Sequence, residues 1–312
     1  MIAAGSVSAP VRAALLMLLA NLCVAAMTCT IRIAAADLHP FEIAFFRNLF
    51  GVVFLLPFLV PAGLGVIRTH ALGRLVVSSG GHLIAMLAYF LAAAVMPLAE
   101  LTALAFTKPL FASIGAALIL HEIVRARRWS AIAIGFVGVL IVLRPGAEAF
   151  SPYAGLVLLS ALASAAVVLM VKQMTRGDGA TTIVLYQSLF LTVLSLPPAL
   201  LFWQTPSLSS LLLVALIGAL GTITWLCFTR AFALADASAV MPLEFLKLPF
   251  TALLAFLLFA QVPSIWTWLG GALIFASTIY VSHREARIAR VRAAAAATGA
   301  EATTAPPARP AA

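Results

Sequence analysis

The chain repeats itself at a constant offset of 140 residues, as Ala14 falling on Ala154 illustrates. With residue i set over residue i+140, Leu16, Leu18, Leu19, Leu22, Ala25 and Ala26 fall on Leu156, Leu158, Leu159, Leu162, Ala165 and Ala166. Arg32 falls on Lys172, and Pro109 on Pro249. Leu49, Phe50, Val53, Leu56 and Pro57 fall on Leu189, Phe190, Val193, Leu196 and Pro197. The register runs for about a hundred residues without a gap. Alanine and leucine are abundant enough to match by chance, but the paired prolines and the unbroken register are not explained that way.

Composition says what each copy is made of. The chain is 64% hydrophobic and 9% charged, with a mean hydropathy of +1.14, where a soluble domain carries roughly 25% charged residues. It lacks the polar surface to cover itself, so lipid is its solvent. Backbone groups in lipid must be satisfied internally, which leaves helices or closed barrels. The apolar runs are about 20 residues long and do not alternate, so they predict helices.

Ten spans are expected. The first five are Val11–Ala34, Pro40–Val60, Leu75–Met96, Leu98–Leu120 and Trp129–Leu143. The second five are Tyr153–Val171, Ala180–Trp203, Ser210–Phe228, Ala237–Ala260 and Ile265–Ser282. The expected organisation is a short cytoplasmic N-terminus (1–11), a first repeat (12–144), a turn-rich linker (145–152), a second repeat (153–283), and a basic, Ala/Pro-rich disordered tail (284–312). The fold class is an all-α membrane protein, ten helices in two five-helix repeats. Two copies of an odd-span unit in one membrane must point opposite ways, and that inverted symmetry is a signature of alternating-access transporters.

The charges agree with that arrangement. The net charge of +9 would suggest nucleic acid only if its placement were ignored. The basic residues sit at span ends and in the tail. With both termini inside, the cytoplasmic segments hold Arg12, Arg68, Arg74, Arg125, Arg127, Arg128, Lys172, Arg176, Arg230 and the tail arginines, whereas the opposite side holds only Arg32 and Arg144. The loop with Arg68 and Arg74 corresponds to an uncharged 208–214, and the loop with Arg125, Arg127 and Arg128 to an uncharged 265–268. The second copy has lost positive charge where inversion places it outside. The apolar run after Arg12 is longer than a signal-peptide core, which predicts a retained first span. Cys23, Cys29 and Cys227 lie inside apolar runs without ligand spacing and read as small core residues.

Leu38-His39-Pro40-Phe41-Glu42-Ile43-Ala44-Phe45-Phe46-Arg47 resembles the opening of the second span in EamA-type transporters of the drug/metabolite transporter superfamily. Lys108-Pro109-Leu110-Phe111, then His121-Glu122, then Gly135-Phe136-Val137-Gly138-Val139 are similar to that family too, as is Arg230-Ala231-Phe232-Ala233 followed by Ala237 to Pro242. The resemblance covers about residues 12–283. Within the family the chain looks most like the branch that includes S-adenosylmethionine uptake carriers. The second copy departs from the pattern at Gln187, where the first has Arg47, and at Val262, where the first has Glu122.

Charges inside spans are costly and face a cavity or a partner. Glu100 and Lys108 lie in the fourth span, and Glu244 and Lys247 in the ninth; the resemblance implies that these two helices help line a central pocket. Opposite charges near the midplane would hold a zwitterionic or charged solute. Glu244 and Lys247, three residues apart, either face that solute or pair with each other on one helix face. Glu100 meets either the solute or a wet vestibule. Lys108, beside Pro109 where the broken backbone opens space, either faces the solute or pairs with a carboxylate from another helix. Glu42 and Arg47 begin the second span; the resemblance makes Arg47 notable, and an anchor between helices or a snorkelling group explains it equally well. Asn21, Tyr89, Ser164 and Trp225 offer polar or aromatic surface at mid-depth, and serve equally for helix-to-helix bonding and packing. Pro109, Pro249 and the Pro197-Pro198 pair mark kinks.

The expected activity is secondary transport of a small polar metabolite, such as an amino acid or a nucleotide-derived or vitamin-like solute, across the cytoplasmic (inner) membrane. Partners are the solute and the bilayer, with no nucleic acid, metal or other cofactor. A carboxylate such as Glu100 or Glu244 would couple protons if burial raised its pKa; the nearby lysines oppose that, and solute exchange and facilitated diffusion stay open beside proton coupling. A flippase for lipid or lipid-linked intermediates would use the same fold with a side opening. An enzyme is not expected. His121-Glu122 lacks the second histidine of a zinc protease, since Arg125 stands there, and no Gly-x-Ser-x-Gly, P-loop or Gly-x-Gly-x-x-Gly pattern occurs.

Overall fold

A computed structural model describes residues 9–59, 69, 71–119, 126–143, 151–174, 178, 180–234, 241–277 and 279–280. The first eight residues, most of the expected linker, His121-Glu122 and the basic tail lie outside the described residues, as do the side chains of Pro109 and Lys172. All regular structure among the described residues is helical: α1 (Ala9–Ala34), α2 (Pro40–Leu59), α3 (Leu72–Val95), α4 (Leu98–Ala105), α5 (Lys108–Ile119), α6 (Ala126–Leu143), α7 (Pro152–Met174), α8 (Ala180–Leu200), α9 (Leu208–Leu234), a 3-10 turn (Met241–Leu246), α10 (Lys247–Phe259) and α11 (Ile265–Ser277).

Six of these helices, α1, α2, α3, α7, α8 and α9, are long and apolar enough to cross a membrane. Each turns large apolar side chains outward as well as inward. Leu15, Val53, Val77, Leu162, Val193 and Leu212 are all exposed. Helices that are apolar all round belong in lipid.

The fourth and ninth spans expected from the sequence are not continuous helices. α4 ends in a tight turn, with Phe106 and Thr107 donating their N–H groups to Ala103 and Leu104, and Thr107 Oγ1 also donating to Leu104 O at 2.8 Å. α5 restarts at Lys108. In the second copy the 3-10 turn ends at Leu246 and α10 restarts at Lys247. The cause is the same in both. Pro109 and Pro249 have no N–H for the carbonyl four residues back and would collide with it. Each therefore sits in the first turn of a new helix, where that N–H is not needed.

Packing follows the sequence repeat. α1 packs along α9 and α3 along α7; shifting by 140 turns α1 into α7 and α3 into α9, so these are one contact made twice. The α2–α9 and α8–α3 contacts form a second such pair, and α1–α10 and α7–α5 a third. Equivalent helices also meet each other directly, and they run antiparallel. Along α2 and α8, Phe41 meets Phe202 at 5.6 Å, Asn48 Nδ2 reaches Ser195 Oγ at 3.3 Å, and Leu55 shares a cavity wall with Val184. Along α4 and α10, Leu98 N donates to Gln261 Oε1 at 3.2 Å, while Lys247 lies 5.0 Å over the Phe106 ring. Along α6 and α11, a Cβ on Gly138 would lie 2.8 Å from Gly270 O and one on Gly270 only 2.5 Å from Gly138 O. Glycine is required on both sides because the backbones touch.

Candidate functional site

The antiparallel pair α2–α8, with α3 and α9 beside it, encloses a cavity of about 150 Å³. Its polar wall is built from positions related by the offset: Arg47 with Gln187, Asn48 with Ser188, and His82 with Thr222. Trp225 of α9 adds an aromatic face. Equivalent residues converge because the two copies exchange places across the cavity.

Arg47 dominates the wall. Its Nη1 donates to Asn48 Oδ1 at 2.9 Å and approaches Met86 Sδ at 3.5 Å. Asn48 in turn donates to Leu191 O and Ser195 Oγ of α8 at 3.5 and 3.3 Å. The guanidinium edge carrying Nε and Nη2 passes beside Gly221, whose Cβ would lie 3.7 and 3.5 Å from those atoms. His82 lies within electrostatic reach of Arg47 and Lys108. Its Nδ1 is buried and has no hydrogen-bond partner among the described residues.

A second group of charges is placed by the broken helices. Lys108 opens α5, Lys247 opens α10, and Glu244 lies in the 3-10 turn between α9 and α10. Glu244 acts electrostatically on both lysines, and the lysines on each other. The Lys108 side chain is exposed. Asn21 Nδ2 donates to Leu243 O at 2.9 Å and to Met17 O at 2.8 Å. It thereby ties the Glu244 turn to α1.

The sequence matches the EamA-like transporter family over residues 11–144 and again over residues 151–283. The chain belongs to that family. Among its relatives is an S-adenosylmethionine uptake transporter of Rickettsia bellii, 31% identical over 80% of this chain and 85% of the relative. A riboflavin transporter of Vibrio cholerae is 34% identical over 90% and 96%. A pseudopaline exporter of Pseudomonas aeruginosa is 30% identical over 86% and 95%. A solved crystal structure shares the fold at a TM-score of 0.61 and 18% identity, spanning 88% of this chain and 97% of that one.

The other side chains singled out from the sequence of this EamA-like transporter take several places. Trp225 lines the cavity. Lys108, Lys247 and Glu244 gather as one electrostatic group at the helix breaks. Glu100 lies in the first turn of α4 and is engaged with a partner. The Tyr89 hydroxyl is 3.4 Å from Thr28 Oγ1, and Ser164 is half-buried on α7. Pro197 lies inside α8 and Pro249 in the first turn of α10; both are exposed. Arg47 lines the cavity and is tied through Asn48 to α8. Sequence reading passed over His82, Asn48 and Ser188. A polar residue at one position in both copies, as with Asn48 and Ser188, was the available signal. A histidine inside an apolar span was another.

Proposed function

We propose that this EamA-like transporter is a secondary carrier of the cytoplasmic membrane, moving a small polar metabolite by alternating access. In this reading the ten helical segments form two inverted five-span repeats, with α4–α5 and the 3-10 turn–α10 each counting as one broken span and both termini in the cytoplasm. The observation that supports it most is the antiparallel packing of equivalent helices around a cavity whose polar wall is made of equivalent positions. Such a unit has two near-equivalent conformations. Rocking one bundle against the other exchanges the roles of the copies and turns the cavity from one side of the membrane to the other.

The solute would sit against Trp225, with its polar groups on Arg47, His82 and Lys108. The first turns of α5 and α10, which begin at Lys108 and Lys247, would add the positive ends of their helix dipoles. Glu244 would set the balance of charge there. The relatives named for S-adenosylmethionine and riboflavin uptake support a metabolite of that size.

The test is uptake by purified protein in liposomes, with a panel of S-adenosylmethionine, riboflavin, riboflavin 5′-phosphate, amino acids and citrate, each with and without a pH gradient. Saturable uptake of one solute, lost on Trp225→Ala, is expected. Uptake of none, with either gradient, contradicts the reading. An unchanged rate when the gradient is collapsed removes protons as the coupling ion.

A further inference from the structure

Cations gather near the cavity. Among the described residues, His82 lies within electrostatic reach of both Arg47 and Lys108, and Lys108 and Lys247 share the carboxylate of Glu244. Buried charge persists only when paired, coordinated or hydrated. Lys247 has a partial answer in the Phe106 ring at 5.0 Å. Lys108 makes no hydrogen bond or close ion pair among the described residues, and its side chain is open.

Arg47 shows the same deficit at atomic detail. Its two polar contacts both use Nη1. Among the described residues Nε and Nη2 make none, and that edge runs past Gly221, where no side chain covers it. The Nε–Nη2 edge is the two-pronged donor that matches a carboxylate or phosphate. His82 stands within reach of both Arg47 and Lys108, with its Nδ1 unpartnered.

Resting on the carrier reading above, we infer that the transported solute is a net anion whose carboxylate or phosphate is held by the Nε–Nη2 edge of Arg47, with Lys108 as the second cation. The site is lopsided by construction, because the second copy has Gln187 where the first has Arg47. The anionic end of the solute therefore lies toward α2, and its flat or apolar part toward Trp225 on α9. A net cation such as S-adenosylmethionine meets like charge there, and a neutral solute such as riboflavin leaves the cations unpaired.

The experiment measures binding and uptake of four probes by the full chain: riboflavin 5′-phosphate, citrate, riboflavin and S-adenosylmethionine. Binding is read by thermal shift in detergent and uptake in proteoliposomes. The phosphate and carboxylate probes separate the two kinds of anion. Either or both anions should bind and move in preference to the neutral and cationic probes. Arg47→Gln and Lys108→Gln should each weaken that binding about 10- to 100-fold, and Lys108→Arg should restore most of it. A monodisperse, folded Arg47→Gln protein keeps the test valid if Lys108→Gln fails to fold. Saturable uptake of riboflavin or S-adenosylmethionine that ignores both glutamine variants overturns the anion inference and leaves the carrier standing. No binding or movement of any probe overturns both.

Discussion

Thr69 Oγ1 donates a 2.6 Å hydrogen bond to the Asp178 carboxylate, joining the segment ahead of α3 to the segment ahead of α8. Ser210 Oγ donates to the Asp37 carboxylate at 3.2 Å, joining the first turn of α9 to the segment ahead of α2. Shifted by 140, each pair falls one residue from the other. Because α2 and α8 are antiparallel, the two contacts lie at opposite ends of that pair. The same latch has been built twice, once at each end of the cavity.

Thr69→Ala should loosen one end alone. The lost hydrogen bond is to a charged acceptor, worth about 1.5–3 kcal/mol, and Thr69 Oγ1 also receives the Ala71 N–H at 3.2 Å. Hydrogen–deuterium exchange at the starts of α3 and α8 should rise about tenfold or more, while exchange around Asp37 and Ser210 stays as it was. Equal acceleration at both ends would mean that the latches are not independent.

Glu42 is a structural carboxylate. It is fully buried, and its two oxygens accept the N–H groups of His39 at 3.2 Å and Gln204 at 2.8 Å. It also stands in the first turn of α2, where the helix dipole favours a negative charge. Glu42→Ala orphans both donors and should destabilise the folded protein by on the order of 2 kcal/mol or more, read as a lower unfolding midpoint in detergent. Glu42→Gln, which keeps one acceptor, should cost less.

His39, just outside the second span, should make stability depend on pH. Its ring stacks on Phe202 at 4.0 Å, and its Nδ1 accepts the Phe41 N–H at 3.3 Å. Burial lowers its pKa from the ordinary imidazole value, while Glu42 pulls the other way. With the folded pKa below the unfolded one, the unfolded chain takes up the proton first as pH falls through about 6.5. Stability should therefore decline over that window, and His39→Gln should remove that part of the decline. A steeper decline in the variant would contradict the assignment.

Gly270→Ala should separate α6 from α11. The new Cβ would lie 2.5 Å from Gly138 O and 2.6 Å from Val142 Cγ2; backbone cannot yield as a side-chain tip can. Overpacking of this kind costs about 1–3 kcal/mol. Gly51→Ala, with nothing within 4 Å of its Cβ, is the control and should leave the unfolding midpoint close to that of the parent chain.

Much of the helix framework was legible because length and hydropathy alone place a helix in lipid. Pro40–Val60 and Ala180–Trp203 were expected where α2 and α8 stand. The breaks at Lys108 and Lys247 were half legible. Proline marks a kink, but the tight turn before it depends on Thr107 bonding back to Leu104. Which face of each helix turns inward was hidden. Helices in lipid are apolar on every side, so amphipathic periodicity does not point to the core. The depth of Arg47 was thus legible, and its direction, into the cavity, was not. His82 passed unnoticed for the same reason. The offset held the missing information in polar pairs such as Asn48 and Ser188, which mark the cavity wall only once the copies are turned against each other.

The most direct measurement is the side from which the cavity can be reached. With Cys23, Cys29 and Cys227 replaced by alanine, a Ser188→Cys protein is labelled in oriented vesicles by a membrane-impermeant maleimide. One end is first locked by a disulfide, using either Thr69→Cys with Asp178→Cys or Asp37→Cys with Ser210→Cys. Alternating access predicts labelling from one side under the first lock and from the opposite side under the second. Labelling from the same side under both locks would contradict it.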